Sequence, residues 1–419
     1  MKVEVTELEG LYRQLTVEVP HNRFQEEMDK ELEQLRLRVT LKGFRKGKAP
    51  MNMIKSNYGE SVKSDVIDKL IKATYPEAIS SQTLKVASPP QVTDLKIEDD
   101  GSFSYKAKVE VFPDIKKVVF DGLKLTTTDT EATDAEVDEF IETLRDKRAE
   151  MRDVDRAATA SDVVVLDMTK IKDPKLAVEQ ADFPETTVDL SNGMTLKEFK
   201  EQIPGMKAGE EKDIVVKYAD DYSDSRLAGA EITYKARLKS VKEKILPEVD
   251  DAFAKASAEA ETVLELRLKI REEIKRQKEE GQKRSFKSQI ITQMNEKNPV
   301  PVPESMIENY LHSVIEDLTS QKAEFKEDEI RKMYRVMGEQ TIRWQILYHQ
   351  LAEQEKIEVL PSDTEKVIGR MARQYKITGE EAKEAMLRSN RADDIRESLL
   401  EEKVLDLISG RAKKKPEKK

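Results

Sequence analysis

The chain has 419 residues and a formal net charge of −10, with 37% charged against 38% hydrophobic residues. That length exceeds one ordinary core and implies two or three domains, and the charge content fits elongated domains or long solvated helices. The acidic balance argues against a general nucleic-acid binder, the lack of cysteine excludes disulfides, thiolate metal sites and cysteine nucleophiles, and His21, His312 and His349 lie too far apart to make a metal-ligand spacing.

The start, MKVEVTELEG, has no apolar core of signal-peptide length, and no run of about 18 apolar residues follows anywhere. A cytosolic protein without a membrane span is therefore expected. Residues 2–19 alternate apolar and polar around a Glu-Gly turn, which reads as a β-hairpin. Phe24, Met28, Leu32, Leu35 and Val39 then recur at helical spacing. After the stretch GFRKGKAP (43–50), Pro50 suits the first turn of a second helix, and its stripe of Val62, Val66, Leu70 and Tyr75 runs to about Thr83. Two strands follow, one over 84–96 and one marked by the alternation Phe103, Tyr105, Ala107, Val109, Val111. Residues 1–112 thus read as an α+β domain with helices on one face of an antiparallel sheet.

Residues 113–150 hold a short strand-like segment (GLKLTTTD) and a helix with Val137, Phe140, Ile141 and Leu144, and read as an arm. Residues 151–243 read as a small β-rich domain: SDVVVLDMTKI is a β-branched strand, IPGMKAGEEKDIVVKY a turn and a strand, and AEITYKARLKSVKE a closing strand. From Pro247 the composition is that of helices, punctuated by PVPVP and Pro361, so residues 244–410 read as an all-α domain and 411–419 (RAKKKPEKK) as a basic disordered tail. The fold class is α+β multidomain.

One stretch opposes the overall charge. No acidic residue occurs from Gln34 to Gly59, while Arg36, Arg38, Lys42, Arg45, Lys46, Lys48 and Lys55 all fall there. Gly43 and Gly47 break the helical pattern and Pro50 restarts it, so the stretch is the loop between two helices. Two readings stand. The cations are surface decoration with Phe44 packed inward, or the loop is a docking tip whose cations meet an anionic surface and whose Phe44 fills an apolar pocket.

GFRKGKAP resembles the ribosome-docking signature of the bacterial trigger factor family, GFR-x-G-x-x-P, with Gly43, Phe44, Arg45, Gly47 and Pro50 in its fixed positions. The setting in a helical hairpin, the middle β domain and the helical C-terminal half extend the resemblance over nearly the whole chain. It implies docking on the large ribosomal subunit beside the exit tunnel, on a ribosomal protein and rRNA, through Gly43, Phe44, Arg45, Lys46, Gly47, Lys48 and Pro50. It also implies an FKBP-type peptidyl-prolyl isomerase in the middle, a helical cradle for nascent and unfolded polypeptides, and a weak homodimer off the ribosome. No cofactor is expected: family members are ATP-independent, and the sequence has no GxxxxGK[ST] phosphate loop.

Prolyl isomerisation needs no acid, base or nucleophile, because its barrier is lost amide resonance, about 18–20 kcal/mol. A dry aromatic pocket holding a twisted amide lowers it. By resemblance the pocket candidates are Met168, Phe183, Leu196, Phe199, Tyr222 and Tyr234. IPGMKAGEE keeps the FKBP turn-and-strand segment. Three features depart from the FKBP pattern. Met168 follows Asp167 where an aromatic is usual, KIKDPKLAVEQ replaces a glycine-rich connection, and MTLKEF replaces a Val/Ile-Pro-Gly helix start. These residues either line an altered working pocket or serve only as core, and because apolar residues in a β domain are more often core than pocket, weak or absent catalysis is expected.

In the helical half, Met306, Ile307, Tyr310, Leu311, Val314, Ile315 and Leu318 form one apolar stripe. Met333, Val336, Met337, Ile342, Trp344, Ile346, Leu347 and Leu351 form another. Most must pack helix on helix. A chaperone needs some exposed, where methionine adapts to varied sequences. The alternatives to a ribosome-docked chaperone are a cytosolic prolyl isomerase with a helical targeting module and a periplasmic chaperone with an isomerase insert. The altered pocket counts against the first and the N-terminus against the second.

Overall fold

The computed structural model describes residues 1–42, 44–98, 102–173, 180–220, 222, 227–258, 260–322, 325–388 and 391–416. Gly43 of the predicted docking stretch lies outside them. The chain divides into two compact units, Met1–Thr128 with Lys283–Lys419, and Asp129–Gln282.

The first unit opens with β1 (Lys2–Glu7) and β2 (Tyr12–Val19), then α1 (His21–Arg38), α2 (Met51–Ser81), β3 (Gln91–Ile97) and β4 (Phe103–Glu110). The strands form one antiparallel sheet in the order β1-β2-β4-β3. Gly10 turns the β1–β2 hairpin at φ 64°, a left-handed conformation that glycine adopts without a Cβ clash. Alternation puts Leu15, Val17, Phe103, Tyr105 and Ala107 on one face, where they bury against Phe24, Leu32, Val66 and Leu70 of the helices. The expected strand over 84–96 is shorter. Pro89 and Pro90 cannot donate to a ladder, so β3 starts only at Gln91, and Val86 makes an isolated bridge to Val111.

Residues 113–128 do not form a free arm. Val118, Phe120, Leu123 and Leu125 are core residues of the helical half, packed with Ile290, Met294, Trp344, Leu347, Leu351, Val404 and Ile408. β5 (Lys124–Thr127) lies here. The second stretch of the predicted arm, α3 (Asp134–Lys147), belongs to the other unit. There it buries Val137 and Ile141 against Phe253, Leu266 and Ile270. Apolar residues spaced along one segment do not show that they serve two different cores.

The second unit continues with β6 (Glu150–Val154), β7 (Val163–Lys172), β8 (Asp182–Asp189), α4 (Lys197–Gln202), β9 (Glu211–Lys217), β10 (Glu231–Ile245), α5 (Asp251–Ala258) and the start of α6 (Val263–Lys297). Its strands are antiparallel in the order β6-β10-β7-β8, with β9 also beside β10. The long β10 is the spine. Val164, Leu166, Ile214, Ile232, Ala236 and Leu238 fill the core under it.

The end of α6 returns to the first unit, followed by α7 (Glu304–Ser320), α8 (Glu327–Glu355), α9 (Pro361–Tyr375), α10 (Gly379–Arg388), α11 (Ala392–Arg411) and β11 (Lys413–Pro416). The buried carboxylate of Glu110 accepts the N–H groups of Glu304 and Ser305 at 2.7 and 2.8 Å, tying β4 to the first turn of α7. This carboxylate serves orphan donors that a helix start always leaves. Of the predicted disordered tail, residues 417–419 lie outside the described residues, and residues 411–416 are ordered. β11 pairs in parallel with β5, Lys413 N–H donates to the Leu123 carbonyl, and Arg411 and Lys414 rest over the rings of Phe120 and Phe286. Backbone pairing and cation–π contact order a run that its charge alone would leave solvated.

Candidate functional sites

The loop between α1 and α2 is built by backbone chemistry. The α1 ladder ends as Val39 N–H reaches the Leu35 carbonyl. Phe44 N–H then donates to Leu41 O at 3.0 Å, and Lys48 N–H to Arg45 O at 2.9 Å. Gly47 has φ 79°, and a Cβ there would also meet Leu37. Pro50 stands at the N-cap of α2, where its carbonyl accepts from Met53 and Ile54. Ala49 is buried, and Phe44 is half-buried against the core of the β1–β4 sheet. Of the two placements the sequence left open for Phe44, the ring packs back on the hairpin.

Lys42, Arg45, Lys46 and Lys48 are exposed and make no ion pair among the described residues. Neighbouring cations do: Arg36 pairs with Glu33, and Lys55 with Asp29 at 3.5 Å. The loop is thus a cluster of unneutralised positive charge on a tightly turned backbone.

The second site lies on β7–β10. Met168, Phe199 and Tyr234 are buried, and Phe183 and Leu196 pack half-buried against the same cluster. Met168 sits opposite Phe183 on β8 and Ala236 on β10. The Phe183 and Tyr234 rings meet edge to face, with centroids 5.8 Å apart. Tyr222 stands at the margin, 38% exposed, edge to face with Tyr218 at 5.0 Å. The structure therefore brings Met168, Phe183, Leu196, Phe199 and Tyr234 into one cluster and reaches Tyr222 through Tyr218.

Tyr218 was missed by the sequence reading. The signal was present, because Ile214 and Val216 alternate along β9, and Tyr218, one residue past its end, continues that period and packs on the same cluster. Its hydroxyl shares a hydrogen bond with that of Tyr234. Burial pushes the Tyr218 phenol well above its ordinary range, and the neighbouring Tyr234 adds to this. Burial also raises the Tyr234 phenol. Both are neutral hydrogen-bonding groups at any physiological pH. The cluster offers apolar walls and phenol hydroxyls, which suits holding an amide and not transferring a proton from a titrating acid. No cluster of metal-ligating side chains occurs among the described residues.

The sequence profile of the bacterial trigger factor protein matches residues 1–144, and that of the trigger factor C-terminus matches residues 262–410. Trigger factor from Koribacter versatilis is 31% identical over 414 residues, covering 96% of this chain and 95% of its own length. The chain belongs to the bacterial trigger factor family. Trigger factor from Caldicellulosiruptor saccharolyticus is 30% identical, covering 95% of this chain and 94% of its own. A solved structure of a trigger factor chaperone, studied for promiscuous substrate recognition in folding and assembly, shares the fold. It aligns with a TM-score of 0.56 and 23% identity over 97% of this chain and 99% of that one. Residues 155–239 match the FKBP-type peptidyl-prolyl cis-trans isomerase family. The chain thus carries an FKBP-type isomerase domain between the two regions that match the trigger factor profiles, and the aromatic cluster lies within it. Among the described residues no helix is long and apolar enough to cross a membrane.

Proposed function

We propose that this chain is a cytosolic, ATP-independent chaperone that docks on the large ribosomal subunit beside the nascent-chain exit and shields emerging polypeptides. The observation that carries the docking is the loop of 42–50. In a chain of net charge −10, it holds Lys42, Arg45, Lys46 and Lys48 exposed and without an ion pair among the described residues. Unpaired cations on a fixed backbone lose little internal stability on meeting phosphate, and counterion release drives such contacts. Because Phe44 braces the loop from within, the test replaces only cations. Arg45→Ala/Lys46→Ala/Lys48→Ala should abolish co-sedimentation with ribosomes at moderate salt while leaving the unfolding transition unchanged. Undiminished co-sedimentation would refute the docking role.

For client contact the structure supports the start of α8, where Met333, Val336 and Met337 are 68%, 63% and 55% exposed. The later apolar residues of the same helix, Ile342 through Leu351, are buried. Flexible methionines set among charges suit weak contact with varied sequences. The isomerase pocket is walled by Met168, Phe183, Leu196, Phe199, Tyr218, Tyr222 and Tyr234. With a thioether in place of an aromatic wall at Met168, its catalysis of proline-limited refolding should be weak. Full FKBP-like catalysis by the whole chain would overturn that reading.

A further inference from the structure

A groove of about 460 Å³ runs between the end of α6 and α11, both in the first unit there, and shares no residue with either site described above. Its floor is apolar: Phe286, Ile290 and Leu405, all packed on the helical core. Its walls carry opposite charge. Lys283, Arg284 and Lys287 line the α6 side, and Glu401, Glu402 and Asp406 the α11 side. One pair, Lys287 and Glu401, closes across at 2.7 Å, and Glu401 is also held by the Trp344 indole N–H at 2.7 Å. Lys283, Arg284, Glu402 and Asp406 are left without an ion pair among the described residues.

Both walls are helices, so their backbone groups are already bonded along the helix and offer no edge for a strand. Recognition must come from side chains: apolar anchors on the floor and complementary charge at the rims. A helix with a narrow apolar stripe meets that need, since its own backbone is satisfied and its flanks stand beside the stripe. We infer that the α6–α11 groove binds an amphipathic helix that is acidic along one flank and basic along the other. The acidic flank faces Lys283 and Arg284, and the basic flank faces Glu402 and Asp406. This deepens the chaperone reading by naming a class of client segment, the amphipathic helix of split charge. It rests on that reading only for the source of the helix.

The test uses the full chain and three fluorescein-labelled synthetic helices, each with leucine at i, i+3, i+4 and i+7. One has glutamate on one flank and lysine on the other, one has glutamate on both, and one has lysine on both. By fluorescence anisotropy at low salt, the split-charge helix should bind about tenfold more tightly than either uniform one. Lys283→Glu/Arg284→Glu makes both walls acidic and should move the preference to the all-lysine helix. Glu402→Lys/Asp406→Lys makes both basic and should move it to the all-glutamate helix. These side chains are exposed and unpaired, so both variants should keep wild-type helicity by circular dichroism. The same order of binding in wild type and in both variants overturns the inference. So does the absence of peptide binding with self-association that charge reversal abolishes, which would give the groove to a second copy. No ribosome enters the assay, so a failure of the docking proposal leaves this result unaffected.

Discussion

The loop at 42–50 and the aromatic cluster of β7–β10 are opposite kinds of site. The loop keeps its cations in water and without an ion pair among the described residues, so little of the fold depends on them. The cluster takes its residues out of water, and Met168, Phe199 and Tyr234, which we propose as pocket wall, are also domain core. Function and stability are therefore separable at the loop and joined at the cluster.

The largest expected effect tests that separation. Tyr234→Ala should cost about 3–5 kcal/mol of middle-domain stability in denaturant unfolding, as for other buried aromatics. Arg45→Ala/Lys46→Ala/Lys48→Ala should stay within about 0.5 kcal/mol of wild type. Equal costs would erase the distinction.

A packing test comes next. Gly338 of α8 lies so close to α7 that an added Cβ would stand 2.6 Å from the Tyr310 ring. Gly338→Ala should destabilise by about 1–3 kcal/mol. Tyr310→Ala in the same chain should recover part of that loss, a coupling read by a double-mutant cycle. Tyr218→Phe removes only the hydroxyl shared with Tyr234 and should cost about 1 kcal/mol. A loss as large as that of Tyr234→Ala would mean that the hydrogen bond, and not ring packing, holds the cluster.

The smallest effect is a pH dependence at α3. Lys278 and the Thr133 cap hold the Glu136 carboxyl down at about 2, against an ordinary 4.5. A depressed folded value means the stabilisation is complete above 4.5 and fades as pH falls toward 2. Helicity of α3, followed by hydrogen exchange, should hold to pH 5 and weaken below 4. Glu136→Gln should flatten that dependence.

Much of this architecture was legible because it is local. The alternation Phe103, Tyr105, Ala107, Val109 gave a strand with one buried face, and Gly47 and Pro50 gave the loop between two helices. The charge reversal from Gln34 to Gly59 needed only counting. What stayed hidden depends on distant partners. Nothing in RAKKKPEKK shows that Lys413–Pro416 will pair with Lys124–Thr127, nor that 113–150 will divide between two cores. The α8 stripe runs unbroken in sequence, yet Met333 is exposed and Leu347 buried, because helix packing covers only its later turns. Tyr218 was hidden for a smaller reason: it closes the segment IPGMKAGEEKDIVVKY, read as a strand, and alternation marks an inner face without saying which of its side chains meets a distant ring such as Tyr234.

The central claim is that the unpaired cations of the loop make the ribosome contact. It is tested most directly by titrating ribosome affinity against salt for the wild type and for the Lys42→Ala/Arg45→Ala/Lys46→Ala/Lys48→Ala variant. Each cation that releases a counterion adds just under one to the slope of log affinity against log salt. The wild type should show a steep slope, and the variant one shallower by about three to four along with weaker binding. Equal slopes for the two proteins would contradict the account, whatever their affinities.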